Sequence, residues 1–249
     1  MTTLQAQLER LYFPRNSIHQ DLPDGEPSLI TPDGQVRAMV LELTNPADWA
    51  VVSAVWQGVQ ADLGMPAPAI AVSGIDGYQL WFSLADAVPV AQARAFLESL
   101  RVRYLCTVEL ERVGMMPFFD CSMPQKGVHA PLVPALQKTG RWSAFVASDL
   151  AAIFAEEPWL EIPPSPEAQA NVLARLESIK PATLQVHLDR ISAASSLIDD
   201  QTRDKTLNKP TRGKSLNPKQ FLLDVLDDPA AELRLRIEAA KALLPYFPD

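Results

Sequence analysis

Apolar positions recur along the chain with two different periods, and the period switches several times. Leu4, Leu8, Leu11 and Tyr12 repeat at helical spacing and predict a short amphipathic helix. A segment rich in Pro, Asp and Gly follows over residues 14–34 and predicts irregular structure. Val36 to Leu43 is short, apolar and bounded by turn signals, which predicts a buried strand. Asn45-Pro46 then carries a capping signature, and Trp49, Val52, Val55, Trp56, Val59 and Leu63 predict a helix that stops at Gly64. Ala69 to Ser73 predicts a second strand and Gly74-Ile75-Asp76-Gly77 a turn. In the third, Tyr78, Leu80, Phe82 and Leu84 alternate with Gln79, Trp81 and Ser83. Residues 90–101 predict a helix with Ala93, Phe96, Leu97 and Leu100 inward, and Val102 to Leu110 a fourth strand.

That order predicts an α+β protein whose core, about Gln35 to Leu110, is a split β-α-β-β-α-β unit of the ferredoxin/RRM-like kind. Its helices are expected on one sheet face, leaving the other for a ligand, a partner or more protein. Residues 112–165 read as irregular and proline-rich, with a short strand at Trp142 to Val146 and a helix capped by Ser148 that carries Leu150, Ile153 and Phe154. Further helices are predicted at 166–178 and 182–198. A polar linker at 199–216 and a C-terminal helical pair at 217–249 complete the division into a main domain, 1–198, and an extension. Two such helices bury little alone and are expected to dock on the main domain or on another chain.

The composition is that of a globular chain, 47% hydrophobic and 21% charged over 249 residues. No stretch has the roughly 20 apolar residues of a membrane span, and the N-terminus lacks a signal-peptide pattern, so a cytoplasmic protein with no membrane partner is expected. The net charge of −8 counts against a dedicated nucleic-acid binder, but the charge is uneven. Residues 203–219 carry +5, which leaves −13 on the rest. Any grip on phosphate is therefore expected at Lys205, Lys209, Arg212 and Lys214. His19, His129 and His187 have no metal-ligand spacing, and neither a P-loop nor a dinucleotide fingerprint is present.

The sharpest local feature is Ser73-Gly74-Ile75-Asp76-Gly77-Tyr78-Gln79-Leu80-Trp81. With Leu41-Glu42-Leu43-Thr44-Asn45-Pro46 and Asp48-Trp49 upstream, it resembles the archaeo-eukaryotic primase superfamily, in particular the polymerase domains of bacterial end-joining DNA ligases. The order and spacing agree over about fifty residues, Met39 to Leu84. Members of that superfamily hold two divalent metals on acidic residues and use a hairpin Ser and His against the triphosphate. Carried over, the resemblance implies Glu42 and Asp120 as catalytic and metal-ligating acids for Mg or Mn. It implies Ser73, Gly74, Gly77, Gln79 and Thr44 as nucleotide contacts. The departures are at the chemistry: Thr44 replaces an acid, Gln79 a His and Asp76 a Lys.

Three readings follow. The first is a catalytically degenerate primase-polymerase-like protein that binds nucleotide or nucleic acid, or scaffolds a replication, repair or mobile-element partner. The second is an active divergent nucleotidyltransferase using Glu42 and Asp120. The third is a protein-interaction module acting through its C-terminal helices. Against all three stands plain turn chemistry in the hairpin, with Glu42 paired to Arg37 or Arg103 and Trp81 packed rather than stacking a base.

Overall fold

A computed structural model describes residues 3–14, 28–120 and 123–191. The chain divides into two units, Met1–Ser196 and Leu197–Asp249. The second lies outside the described residues, and with it the basic strip and the C-terminal helical pair.

Within the first unit the strands β1 (Gln35–Thr44), β2 (Ala69–Val72), β3 (Gly77–Pro89), β4 (Val113–Met116) and β7 (Ala144–Val146) form one sheet in the order β4-β1-β3-β2-β7. Every neighbouring pair is antiparallel. β1 and β2 therefore run in the same direction with β3 between them, and helix α2 (Trp49–Ala61) crosses from one to the other. Helix α3 (Val90–Tyr104) connects β3 to β4 in the same way. A separate pair, β5 (Phe118–Asp120) and β6 (Met123–Val128), follows. The architecture is mixed α+β around an antiparallel sheet.

Two apolar layers flank the sheet. On one face Met39, Leu41 and Leu43 of β1 and Tyr78, Leu80 and Phe82 of β3 meet Val52, Val55 and Val59 of α2 and Phe96, Leu97 and Leu100 of α3. The period-2 alternation in β3 sends Gln79, Trp81 and Ser83 to the opposite face. That face is not free. Helix α1 (Leu4–Leu11) and the residues after it bring Leu8, Leu11, Tyr12 and Phe13 onto Val40, Ala71, Trp81 and Phe145, while α4 (Pro166–Ala174) adds Leu173. Trp81 is 1% exposed, with ring centroids 5.2 Å from Tyr12 and 5.8 Å from Phe145. The expectation of packing over base stacking holds for this residue.

Buried Arg37 joins α1 to the sheet. Its guanidinium donates to the carbonyls of Leu84 (2.8 Å), Phe13 (2.8 Å) and Arg10 (2.8 Å), so it satisfies backbone acceptors that the short helix leaves open. Arg10 does the same for α4, donating to Leu173 (2.9 Å) and Leu176 (3.0 Å).

Several local expectations need correction. Asn45 does not cap α2: it sits at φ 46°, and Asp48 caps instead, accepting from the Val51 N–H at 3.2 Å. The span Val102 to Leu110 is not a strand. α3 continues to Tyr104, leaving Val102 56% exposed, and the fourth strand starts only at Val113. Ser148 caps no helix. A single 3-10 turn, Ala151–Phe154, forms without a side-chain cap, with Leu150 and Ile153 exposed. α4 ends at Ala174, earlier than the predicted 178, and residues 181–191 are helical.

Candidate functional site

β1 and β3 bring most of the candidate residues to one end of the sheet. The register pairs Glu42 with Gln79 and Thr44 with Gly77. Because side chains alternate, Glu42 and Gln79 both stand on the face covered by α1 and α4. Gln79 Nε2 donates to Glu42 Oε1 at 2.9 Å, and Trp81 Nε1 donates to Gln79 Oε1 at 2.9 Å. The orientation of the amide follows from chemistry. An indole N–H is only a donor, so it must meet the amide oxygen, and the amide nitrogen is thereby turned to the carboxylate.

The Glu42 carboxyl group lies above its ordinary pKa of 4.5. Burial is the main cause, and the charge of Asp76 adds to it, while the Gln79 hydrogen bond works the other way. On the far side Gly114 of β4 lies opposite Glu42, and a Cβ there would approach Glu42 Oε2 to 3.3 Å. Neither Arg37 nor Arg103 pairs with Glu42. Arg37 spends its guanidinium on carbonyls, and Arg103 pairs with Asp62 at 3.1 Å.

The hairpin residues are engaged in holding the turn. Ser73 Oγ accepts from the N–H groups of Ile75 (3.2 Å), Asp76 (3.1 Å) and Gly77 (3.0 Å), and Ser73 is buried. Gly74 has φ 80°, and a Cβ there would lie 2.7 Å from the Ser143 nitrogen. A Cβ on Gly77 would lie 2.5 Å from the Leu43 carbonyl oxygen. Both positions exclude a side chain for reasons of packing and turn geometry. Thr44 turns its methyl toward Gly77, and its carbonyl accepts from Arg112 Nε at 3.1 Å.

Asp120 is not brought to this group. It ends β5, and its neighbour Phe119 packs at Gly34, just before β1 begins. Glu42 is near the other end of β1, so strand rise separates the two backbones by on the order of 15–20 Å. Two-metal nucleotidyl transfer needs acids that converge on the transferring phosphate. The residues around Glu42 do not fit that centre: one carboxylate oxygen is taken by Gln79 and Thr44 is neutral. Among the described residues, no three His, Cys, Asp or Glu side chains come together to hold a metal.

The chain matches no protein-family model and no curated protein sequence. The site is therefore read from its own chemistry.

Lys205, Lys209, Arg212 and Lys214 lie outside the described residues. Among the described ones, no helix is long and apolar enough to cross a membrane. Sequence reasoning singled out Gln79 as a nucleotide contact standing in place of a His and missed its tie to Trp81. The signal was present in the i, i+2 spacing, which places both on one face of β3. It also missed the hydroxyl of Tyr12, whose ring packs against Trp81; that hydroxyl is the sole buried side-chain polar atom without a hydrogen-bond partner among the described residues.

Proposed function

We propose that this chain is a catalytically degenerate primase-polymerase-like protein that works by binding and not by nucleotidyl transfer. Its partner on this reading is a nucleotide, a nucleic-acid strand, or a replication, repair or mobile-element protein. The observation that carries the reading is the closed chain Trp81 to Gln79 to Glu42. It stands where the resembled domains use an Asp and a His. A catalytic acid must present its oxygens to a metal, whereas Glu42 gives one to an internal amide. A hairpin serine that contacts phosphate must be accessible, whereas Ser73 is buried and accepts three turn N–H groups. The split strand order and the meeting of Glu42, Thr44, Ser73 and Gln79 at one end of the sheet support descent from such a domain.

Calorimetric titration with a nucleoside triphosphate, with and without Mn²⁺, tests this. The expected result is that Mn²⁺ adds nothing to whatever binding occurs, because Glu42 gives an oxygen to Gln79 and Asp120 lies toward the other end of β1. Metal-dependent binding that Glu42→Ala removes would contradict the reading and favour a working nucleotidyltransferase.

A further inference from the structure

A cleft of about 360 Å³ opens at the edge of the sheet, away from Glu42, where β7 ends and the chain turns through Ala147 to Asp149. Ligand pockets fall in the range of roughly 300–1,000 Å³, apolar in the main with a few placed polar groups. Ile70 of β2, Val146 of β7 and Leu176 line this one, and Trp56 of α2 supplies an aromatic wall. The indole Nε1–H of Trp56 is committed to the Pro68 carbonyl at 3.0 Å, so the ring is held in place and offers apolar contact only.

An added strand does not suit this edge. The Phe145 N–H donates to Gln169 Oε1 at 2.7 Å, and Gln169 Nε2 donates to the Phe145 carbonyl at 2.9 Å, so a side-chain amide occupies the place of a neighbouring strand. Trp142 is likewise paired with Leu160. A small molecule fits the remaining space better than an extended peptide.

Four polar side chains line the same cleft: Ser148, Asp149, Asn171 and Arg175. Among the described residues none of them makes an ion pair or a side-chain hydrogen bond. The two opposite charges share one cleft without pairing with each other. Arg175 is the only cation in the lining, too little for a polyphosphate, and Asp149 repels a second anionic group.

We propose that this cleft binds a small zwitterion with an apolar body, the chemistry of a free amino acid with an aliphatic or aromatic side chain. Arg175 and Asn171 receive the carboxylate, Asp149 receives the ammonium, and the apolar body lies against Trp56, Val146 and Leu176. This inference stands on the cleft alone and shares no residue with the Glu42 network, so either can fail without the other.

The test uses the full chain, titrated calorimetrically with L-leucine, L-phenylalanine and L-tryptophan. Leucinamide, N-acetyl-leucine and a nucleoside monophosphate serve as comparators. The expected result is saturable binding of at least one free amino acid, weakened by roughly tenfold or more when either ligand charge is removed. Arg175→Gln and Asp149→Asn each produce a similar loss with an unchanged thermal midpoint, since both residues are exposed. The proposal is overturned if none of the three amino acids binds up to about 10 mM. Binding that ignores both substitutions, or a preference for the monophosphate, overturns it as well.

Discussion

The two faces of the sheet bury similar side chains by different means. Under α2 and α3 the layer is apolar, with Phe82, Phe96, Leu97 and Leu100 each 1% exposed or less. Under α1 and α4 the apolar residues share the space with Arg37, Gln79, Ser83 and Gln169, all buried and all hydrogen-bonded. The first face is held mainly by apolar packing. The second is held by a set of polar contacts whose loss leaves specific donors and acceptors without partners. This difference shows how polar side chains are accommodated on a covered sheet face. Polar positions on a sheet face are costly to bury unless they pair, and here Glu42, Gln79 and Trp81 pair with one another.

Substitutions on the two faces are expected to differ in size and in sign. On the apolar face, Phe96→Ala removes a fully buried ring packed 5.4 Å from Phe82 and is expected to cost about 3–5 kcal/mol by chemical denaturation. On the other face, Arg37→Met keeps much of the volume but strips donors from the carbonyls of Leu84, Phe13 and Arg10, with an expected loss of about 3 kcal/mol. Gln79→Met leaves the Trp81 N–H and the Glu42 carboxylate without their shared partner, for about 1–3 kcal/mol. Tyr12→Phe has the opposite sign. It deletes a buried hydroxyl with no partner among the described residues and is expected to stabilise by about 1 kcal/mol. Destabilisation by Tyr12→Phe would mean that the hydroxyl has a partner after all.

The pH dependence sharpens the same contrast. Glu42 has a raised pKa in the folded chain, so between 4.5 and that higher value the folded state holds more protons than the unfolded one. Stability from this group is therefore present at low pH and lost as pH rises through the folded pKa. Glu42→Gln removes that loss, so its thermal midpoint is expected to exceed the parent's near neutral pH and to converge with it in acid. A constant difference across pH would show that the carboxyl group is not the source.

Much of the fold was legible because one face of β1 and β3 is continuously apolar. The alternation Tyr78, Leu80, Phe82, Leu84 identified both the strand and its buried side. The end of α3 was not legible. Val102, Tyr104 and Leu105 mimic a strand pattern, yet the helix runs on and leaves Val102 in solvent, because local spacing does not say which side a neighbouring layer covers. Asn45 was the cap expected from sequence, and the positive φ it adopts leaves that role to Asp48. The site was half legible. Glu42, Thr44, Ser73 and Gln79 do meet, but Asp120 was placed with them by motif order alone, and the β5–β6 pair carries it toward the opposite end of β1. The cleft at Trp56 was invisible in sequence, since its charges come from positions as far apart as Asp149 and Arg175 around an aromatic residue on α2.

Primer extension with Mn²⁺ as the metal, comparing the parent chain with Glu42→Ala, tests the central claim most directly. A Glu42 engaged by Gln79 and without converging acids predicts no nucleotide incorporation by either protein. Incorporation by the parent that Glu42→Ala abolishes would contradict the account and restore Glu42 as a metal-binding catalytic acid.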